Sequence, residues 1–241
     1  MNNIDNNIIN KLTTNNCKLI KLILVILIII LIIILLVALY KLRIYCHKKN
    51  NIFLTTDKYT KFKILEDNWN TIKDEIPDFD INKISIIRDV WYGDSMDKFV
   101  NNLNDNVYWF RAQTHIDTWF NFPIMYKNKF VGNVEEICPK TCNLLKSFNN
   151  IRIAGFSLLL PNGNIDIHTD ETGPTYNSMA LNMPLIGKKS SLYIKPNNQD
   201  KFVKYTHING KAVIFNSEQE HYADNKHNSY RVILYIDFNT D

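Results

Sequence analysis

Residues 151–186 read IRIAGFSLLLPNGNIDIHTDETGPTYNSMALNMPLI. The stretch divides at PNG and at ETGPT, where Pro, Gly, Asn and Thr interrupt three short runs rich in Ile, Leu and Phe. Apolar runs bounded by turn residues read as strands rather than helices. Downstream the same pattern returns in SSLYIK, KAVIFN and YRVILYIDF, separated by IGKK, KPNNQD and DNKHNS. Six such runs, several of them alternating, predict an antiparallel sandwich or jelly roll with helices packed outside it. Upstream, Phe62, Leu65, Trp69, Ile72 and Ile76 fall at helical spacing ahead of Pro77, which predicts an amphipathic helix. A second helix is expected to start at Pro139, since proline is tolerated in a first turn, and to run through TCNLLKSF.

Residues 19–40, LIKLILVILIIILIIILLVALY, contain one charge, Lys21. A helix of these 22 residues reaches roughly 33 Å, enough to cross the hydrocarbon core of a bilayer. The run is too long for the apolar region of a cleaved signal peptide and ends in Leu39, Tyr40 and Lys41, so it reads as a retained transmembrane anchor. The chain therefore divides into a polar, Asn-rich tail (1–18), a transmembrane helix (19–40), a basic linker (41–58) and a globular domain (59–241). Lys11 and Lys18 precede the span and Lys21 sits at its start, while Lys41, Arg43, Lys48 and Lys49 follow it, an excess of one on the C-terminal side that leans toward a cytoplasmic C-terminal domain.

The net charge of +4 comes largely from these lysines and suits anionic lipid. No basic patch interleaved with aromatics marks the rest, so nucleic acid is not an expected partner. Four cysteines, Cys17, Cys46, Cys138 and Cys142, are too few for a disulfide scaffold. Cys138 and Cys142 read as ordinary cysteines beside a helix start, with a local disulfide left open. No Ser/His/Asp or Cys/His arrangement points to a nucleophile.

The chemistry-bearing residues gather in the β-rich half. His168 and Asp170 stand two apart at the end of one expected strand, so their side chains share a side. His221 follows 53 residues later, just past another. Two imidazoles and one carboxylate are the facial ligand set of non-haem Fe(II), with three positions left open. A surface turn also produces H-x-D by chance, and His221 followed ten positions on by Arg231 is what raises the reading above that. It begins the last strand, where a guanidinium suits a dicarboxylate held end-on.

Five segments, in order, carry a family resemblance: WFNFPIMYKN (119–128), CPKTCNLLKSF (138–148), GFSLLLPNGNIDIHTD (155–170), GPT (173–175) and GKAVIFNSEQEHYADNKHNSYRVILYIDF (210–238). Over roughly residues 65–238 the chain resembles the aspartyl/asparaginyl β-hydroxylases, Fe(II)- and 2-oxoglutarate-dependent dioxygenases. The resemblance implies a double-stranded β-helix, the cupin-like jelly roll. It makes His168 and His221 the iron ligands and Arg231 the partner of the far carboxylate of 2-oxoglutarate. Ser157, eleven residues before His168, matches a serine that contacts the cosubstrate, and Trp119 matches a tryptophan lining the same pocket.

Many members read H-x-G where this chain has HTDETGPT. Asp170 either completes the triad or is carried away by the longer loop. Members also tend to have basic residues on the next strand, where this chain has Ser178, Ala180 and Asn182; of these, Asn182 is a hydrogen-bond donor toward the cosubstrate.

The implied reaction consumes O2 and 2-oxoglutarate and hydroxylates an unactivated C–H, foremost the β-carbon of Asp or Asn in a protein. A lipid acyl chain is the alternative substrate, and an inactive membrane-anchored binding module the alternative function. Animal members with a similar anchor imply the endoplasmic reticulum lumen, against the lean of the lysine count. Trp91, Tyr92, Trp109, Phe110 and Arg111 are further candidates for a substrate groove, with the core as the alternative place for the aromatics.

Overall fold

The run that closes the chain decides how the domain is layered. The structure, a computed structural model, describes residues 23–42, 52–84, 94–103, 107–111, 117–170, 178–187, 189–197 and 199–240. It divides into two units, Met1–Asn50 and Asn51–Asp241. In the first, helix α1 (Ile23–Leu42) is long and apolar enough to cross a membrane. Residues 19–22 of the expected span, with Cys17, Cys46 and the polar tail, lie outside the described residues.

In the second unit, helices α2 (Lys63–Asp67), α3 (Trp69–Asp74) and α4 (Asp94–Asn102) precede strands β1 (Phe110–Arg111), β2 (Trp119–Tyr126) and β3 (Lys129–Phe130). Helices α5 (Val134–Ile137) and α6 (Pro139–Leu145) follow. The rest is strand: β4 (Ile151–Leu159), β5 (Asn164–His168), β6 (Ser178–Ile186), β7 (Ser190–Ile194), β8 (Val203–Thr206), β9 (Val213–Asn216), β10 (His221–Asn225) and β11 (Arg231–Asn239). One sheet has the order β1-β2-β4-β11-β6-β9, with β3 beside β2, and the other has β5-β10-β7-β8. All the pairings are antiparallel. This is the expected jelly roll, mainly β with flanking helices.

Strand β11 lies between β4 and β6, so both of its edges are hydrogen-bonded and both of its faces are covered. Val232, Leu234, Ile236 and Phe238 join the large core, which also holds Phe62, Leu65 and Ile72 of the helical segment. Alternation then sends Arg231, Ile233, Tyr235 and Asp237 to the opposite face, between the sheets. The same division runs along β4, where Ala154, Phe156 and Leu158 join the helix-side core. Burying a phenylalanine such as Phe238 contributes on the order of 2–3 kcal/mol, so the helix side carries much of the stability.

Three expectations change at the edges. The expected helix across 59–76 is broken: a 3-10 turn at Thr60–Phe62 leads into α2, and Asn68 separates α2 from α3. The Asn68 side-chain amide donates to the Ile64 carbonyl at 2.8 Å, competing with the helical ladder. The chain also joins the fold before residue 59. Phe53 is buried, and Leu54 exchanges two backbone hydrogen bonds with Ile214 at 2.7 and 2.9 Å, so 52–58 belong to the domain and not to a linker. Strands β1, β2, β3, β8 and β10 add to the six runs. Pro123 interrupts the WFNFPIMY run, and β2 accommodates it with a register shift between Pro123 and Met125.

Helix α6 starts at Pro139 as expected, and its cap comes from far along the chain. The Glu75 carboxylate accepts from the backbone N–H groups of Lys140 at 2.9 Å and Thr141 at 2.7 Å, and from the Thr141 hydroxyl at 2.8 Å. Cys138 and Cys142 are buried free thiols rather than a disulfide. Burial above all pushes both up to about 12, so neither is reactive. Replacing Glu75 by alanine leaves two N–H groups uncapped and is expected to cost about 1–2 kcal/mol in denaturant unfolding of the full chain, with Glu75→Gln retaining part of it.

Candidate functional site

Between the sheets lies a cavity of about 430 Å³, and every metal and cosubstrate residue picked out from the sequence lines it: Trp119, Ser157, His168, Asp170, Asn182, His221 and Arg231. The two histidines meet through strand pairing. His168 ends β5 and His221 opens β10, directly opposite in register, with ring centroids 4.2 Å apart. His221 thus begins a strand of its own, where the sequence placed it just past one.

Each imidazole is oriented from behind. His168 Nδ1 lies 2.7 Å from the Asp166 carbonyl oxygen and His221 Nδ1 2.8 Å from the Gln219 carbonyl oxygen. A carbonyl oxygen only accepts, so both Nδ1 atoms carry the proton and both Nε2 atoms present a lone pair. Burial holds the His221 pKa below the ordinary histidine value against the pull of Asp170, which keeps this ring neutral.

Asp170 completes the cluster. Its backbone N–H donates to the Ser217 carbonyl at 3.0 Å, which pins the residue just before the segment 171–177, itself outside the described residues along with GPT. Its carboxylate lies 3.7 Å from His168 Nε2 and 3.8 Å from His221 Nε2, and the candidate ligand atoms of the three residues all fall within 4.8 Å of one another. The Tyr235 hydroxyl donates to Asp170 Oδ2 at 2.8 Å. Burial, together with the Asp170 and Asp237 carboxylates, pushes the Tyr235 pKa well up, so the hydroxyl remains a donor. Two Nε2 lone pairs and an aimed carboxylate are a donor set that fits a divalent first-row transition metal.

Arg231 stands on the same face of β11 as Tyr235, four residues back. Its side chain is wholly buried, and Nε, Nη1 and Nη2 have no hydrogen-bond partner among the described residues. Burial lowers its pKa to about 10, and Asp224 offsets part of that without bonding to it. The approach to Arg231 is close: Gly187 has φ +107, and a Cβ there would meet the Arg231 Cα and Cβ at 3.0 Å. A buried cation with an unused planar fork of donors fits a carboxylate. Nearby, Trp119 Nε1 donates to Ser157 Oγ at 2.9 Å, leaving the serine O–H to donate elsewhere. Asn182 is buried with Oδ1 unpartnered among the described residues.

The groove candidates among the described residues lie elsewhere. Trp109 and Phe110 are core residues, Trp109 with its indole N–H on the Pro77 carbonyl at 3.2 Å. Arg111 pairs with Asp117, and Trp91 and Tyr92 lie outside the described residues. Sequence reasoning missed Tyr235, Asn121 and Arg152, which line the cavity. Tyr235 was findable from its even spacing from Arg231 on one strand. Asn121 needed the register that sets it opposite Ser157.

The family model described as Aspartyl/Asparaginyl beta-hydroxylase matches residues 66–241. A curated relative, an uncharacterized protein of Acanthamoeba polyphaga mimivirus, is 32% identical over 162 residues, 66% of this chain. The match spans 56% of that relative's length. Among solved structures, a 2OG-Fe(II) oxygenase family oxidoreductase from Burkholderia pseudomallei is similar at 12% identity and TM-score 0.38, over 64% of this chain and 93% of that one. The CENP-C cupin domain of Drosophila melanogaster is similar at 9% identity and TM-score 0.36, over 55% and 70%. On the family match across most of its globular part, the chain belongs to the aspartyl/asparaginyl β-hydroxylase family.

Proposed function

We propose that this protein is an Fe(II)- and 2-oxoglutarate-dependent oxygenase that hydroxylates the β-carbon of Asp or Asn residues in a protein substrate, held at a membrane by α1. One observation carries the reading: a two-histidine, one-carboxylate cluster and a buried guanidinium without a partner among the described residues share one cavity. His168, Asp170 and His221 would hold the iron, and Arg231, Ser157 and Asn182 the 2-oxoglutarate. The chemistry supplied by this pair is the conversion of C–H to C–OH with one atom of O2, coupled to decarboxylation of the oxoacid to succinate.

The protein's own part is positioning. The Asp166 and Gln219 carbonyls fix the tautomer in which both Nε2 atoms face the metal position, and Tyr235 steadies Asp170. Arg231 offers two parallel N–H donors to a carboxylate. Ser157, its oxygen already engaged by Trp119, has its proton left to give to the same group. Ile165, Leu192, Phe215 and Ile233 line the cavity with apolar surface and limit water.

The decisive assay measures succinate released from 2-oxoglutarate by the full chain in detergent with Fe(II), and a 16 Da gain on aspartyl and asparaginyl peptides. No decarboxylation with iron bound would overturn the reading. His221→Ala is expected to abolish iron binding, measured by titration calorimetry, and Asp170→Ala to weaken it less than either histidine change. Arg231→Met separates stability from function. A lysine or arginine whose folded pKa is depressed destabilises at every pH below that pKa and is relieved only as pH rises through it. Near neutral pH the Arg231 penalty is on the order of 3 kcal/mol, from a fall below the ordinary arginine value to about 10. The variant is therefore expected to melt higher than wild type without ligand, yet to lose at least a hundredfold in 2-oxoglutarate affinity.

A further inference from the structure

The cavity holds a second guanidinium, at its other end. Arg152 shares the parity of Ala154, Phe156 and Leu158, and a regular strand would turn it toward the helices. It does not turn that way, because β4 carries an irregularity at this point. Asp237 pairs with Ile153 and the next residue, Phe238, pairs with Ile151, so Arg152 is the extra residue of a bulge. Bulges re-aim side chains. Here Arg152 and Ile153 both line the cavity, which consecutive residues of an unbroken strand do not.

Its surroundings account for only part of its hydrogen-bonding capacity. One terminal nitrogen pairs with Asp237 Oδ2, and Asp237 Oδ1 accepts from the Ser178 hydroxyl at 2.8 Å. The carboxylate is thus used on both oxygens. Arg152 Nε is buried and has no hydrogen-bond partner among the described residues. Burial works against the Arg152 charge, but Asp237, and more weakly Tyr235 and Asp170, hold its pKa above the ordinary arginine value. The side chain therefore stays a cation beside the metal-ligand cluster.

Arg152 and Arg231 are the two permanently charged cations among the described residues that line the cavity. Along β11, Arg231 and the Arg152 partner Asp237 stand six positions apart, about 20 Å of strand, with Tyr235 and its bond to Asp170 between them. A buried donor with no partner among the described residues, on a side chain that lines a cavity, calls for an acceptor from the ligand. Resting on the oxygenase reading above, we propose that Arg152 is a second carboxylate-binding residue, engaging a carboxylate beside the metal centre while Arg231 holds one at the far end. That carboxylate has two sources, the inner end of the 2-oxoacid or the acidic residue being hydroxylated.

The test uses the full chain in detergent loaded with Mn(II). Because removing Arg152 alone strands Asp237, the variants are Arg152→Lys and the double change Arg152→Gln with Asp237→Asn, each first shown to bind Mn(II) as wild type does. One arm titrates 2-oxoglutarate and 2-oxopentanoate, which lacks the far carboxylate. The other titrates an aspartyl peptide with 2-oxoglutarate saturating. The proposal expects the double variant to lose at least tenfold in affinity in one arm, with Arg152→Lys recovering part of it.

Equal losses for both 2-oxoacids identify the cosubstrate's inner carboxylate, in contrast to Arg231→Met, which weakens 2-oxoglutarate alone. A loss confined to the peptide arm identifies the substrate. Affinities within twofold of wild type in both arms overturn the proposal and leave Arg152 a structural strap for β11. Wild-type protein that binds Mn(II) but no 2-oxoacid overturns the oxygenase reading itself.

Discussion

A central strand bonded on both edges and covered on both faces has to solve two problems with one alternating sequence, and β11 does so for this protein. Its even partners Val232, Leu234, Ile236 and Phe238 complete the core under the helices, and its odd residues Arg231, Ile233, Tyr235 and Asp237 face the other sheet. A slip of one residue in register would exchange the two sets, placing two charges among phenylalanines and removing the core. The apolar set thereby enforces the polar one. The large hydrophobic core is what holds Arg231 and Tyr235 at fixed positions between the sheets.

Those positions run against stability taken alone. Arg231 is buried without a hydrogen-bond partner among the described residues, and Asp237 is buried with its pKa raised by desolvation despite the Arg152 pairing. Buried charges of this kind cost several kcal/mol unless something neutralises them. Asp237 is relieved by Arg152 and Ser178. Among the described residues Arg231 has only the unbonded charge of Asp224 to offset its burial, which is the physical sense in which the cavity is built for an anion. By contrast the metal-ligand cluster is assembled at little cost. Its histidines are oriented by backbone carbonyls two residues upstream, and its carboxylate by one tyrosine hydroxyl and one backbone N–H.

Legibility in the sequence followed the range of the interactions concerned. His168, Asp170, His221 and Arg231 were readable because strand alternation and short spacings place chemistry locally. Ser157, Trp119 and Asn182 were readable through family resemblance, and all three line the cavity. Arg152 was not readable, because its direction depends on a bulge whose existence is a property of the pairing between β4 and β11. The break at Asn68 and the entry of Leu54 into the sheet with Ile214 were hidden for a similar reason: each depends on a local competition or a distant partner that propensity does not weigh.

What the sequence by itself determined was the jelly-roll class, the apolar helix long enough for a membrane, and the residue types of the centre. Periodicity and composition give the apolar helix and a choice of sandwich or jelly roll, and the family resemblance narrows that choice and names the centre. What the tertiary structure alone decided was whether Asp170 stays with the histidines. It does, because the hydroxyl of Tyr235 and the carbonyl of Ser217 reach it from strand β11 and from the end of β9, 65 and 47 positions along the chain. Sequence spacing brings a carboxylate near its histidines, but partners from other strands set where it rests.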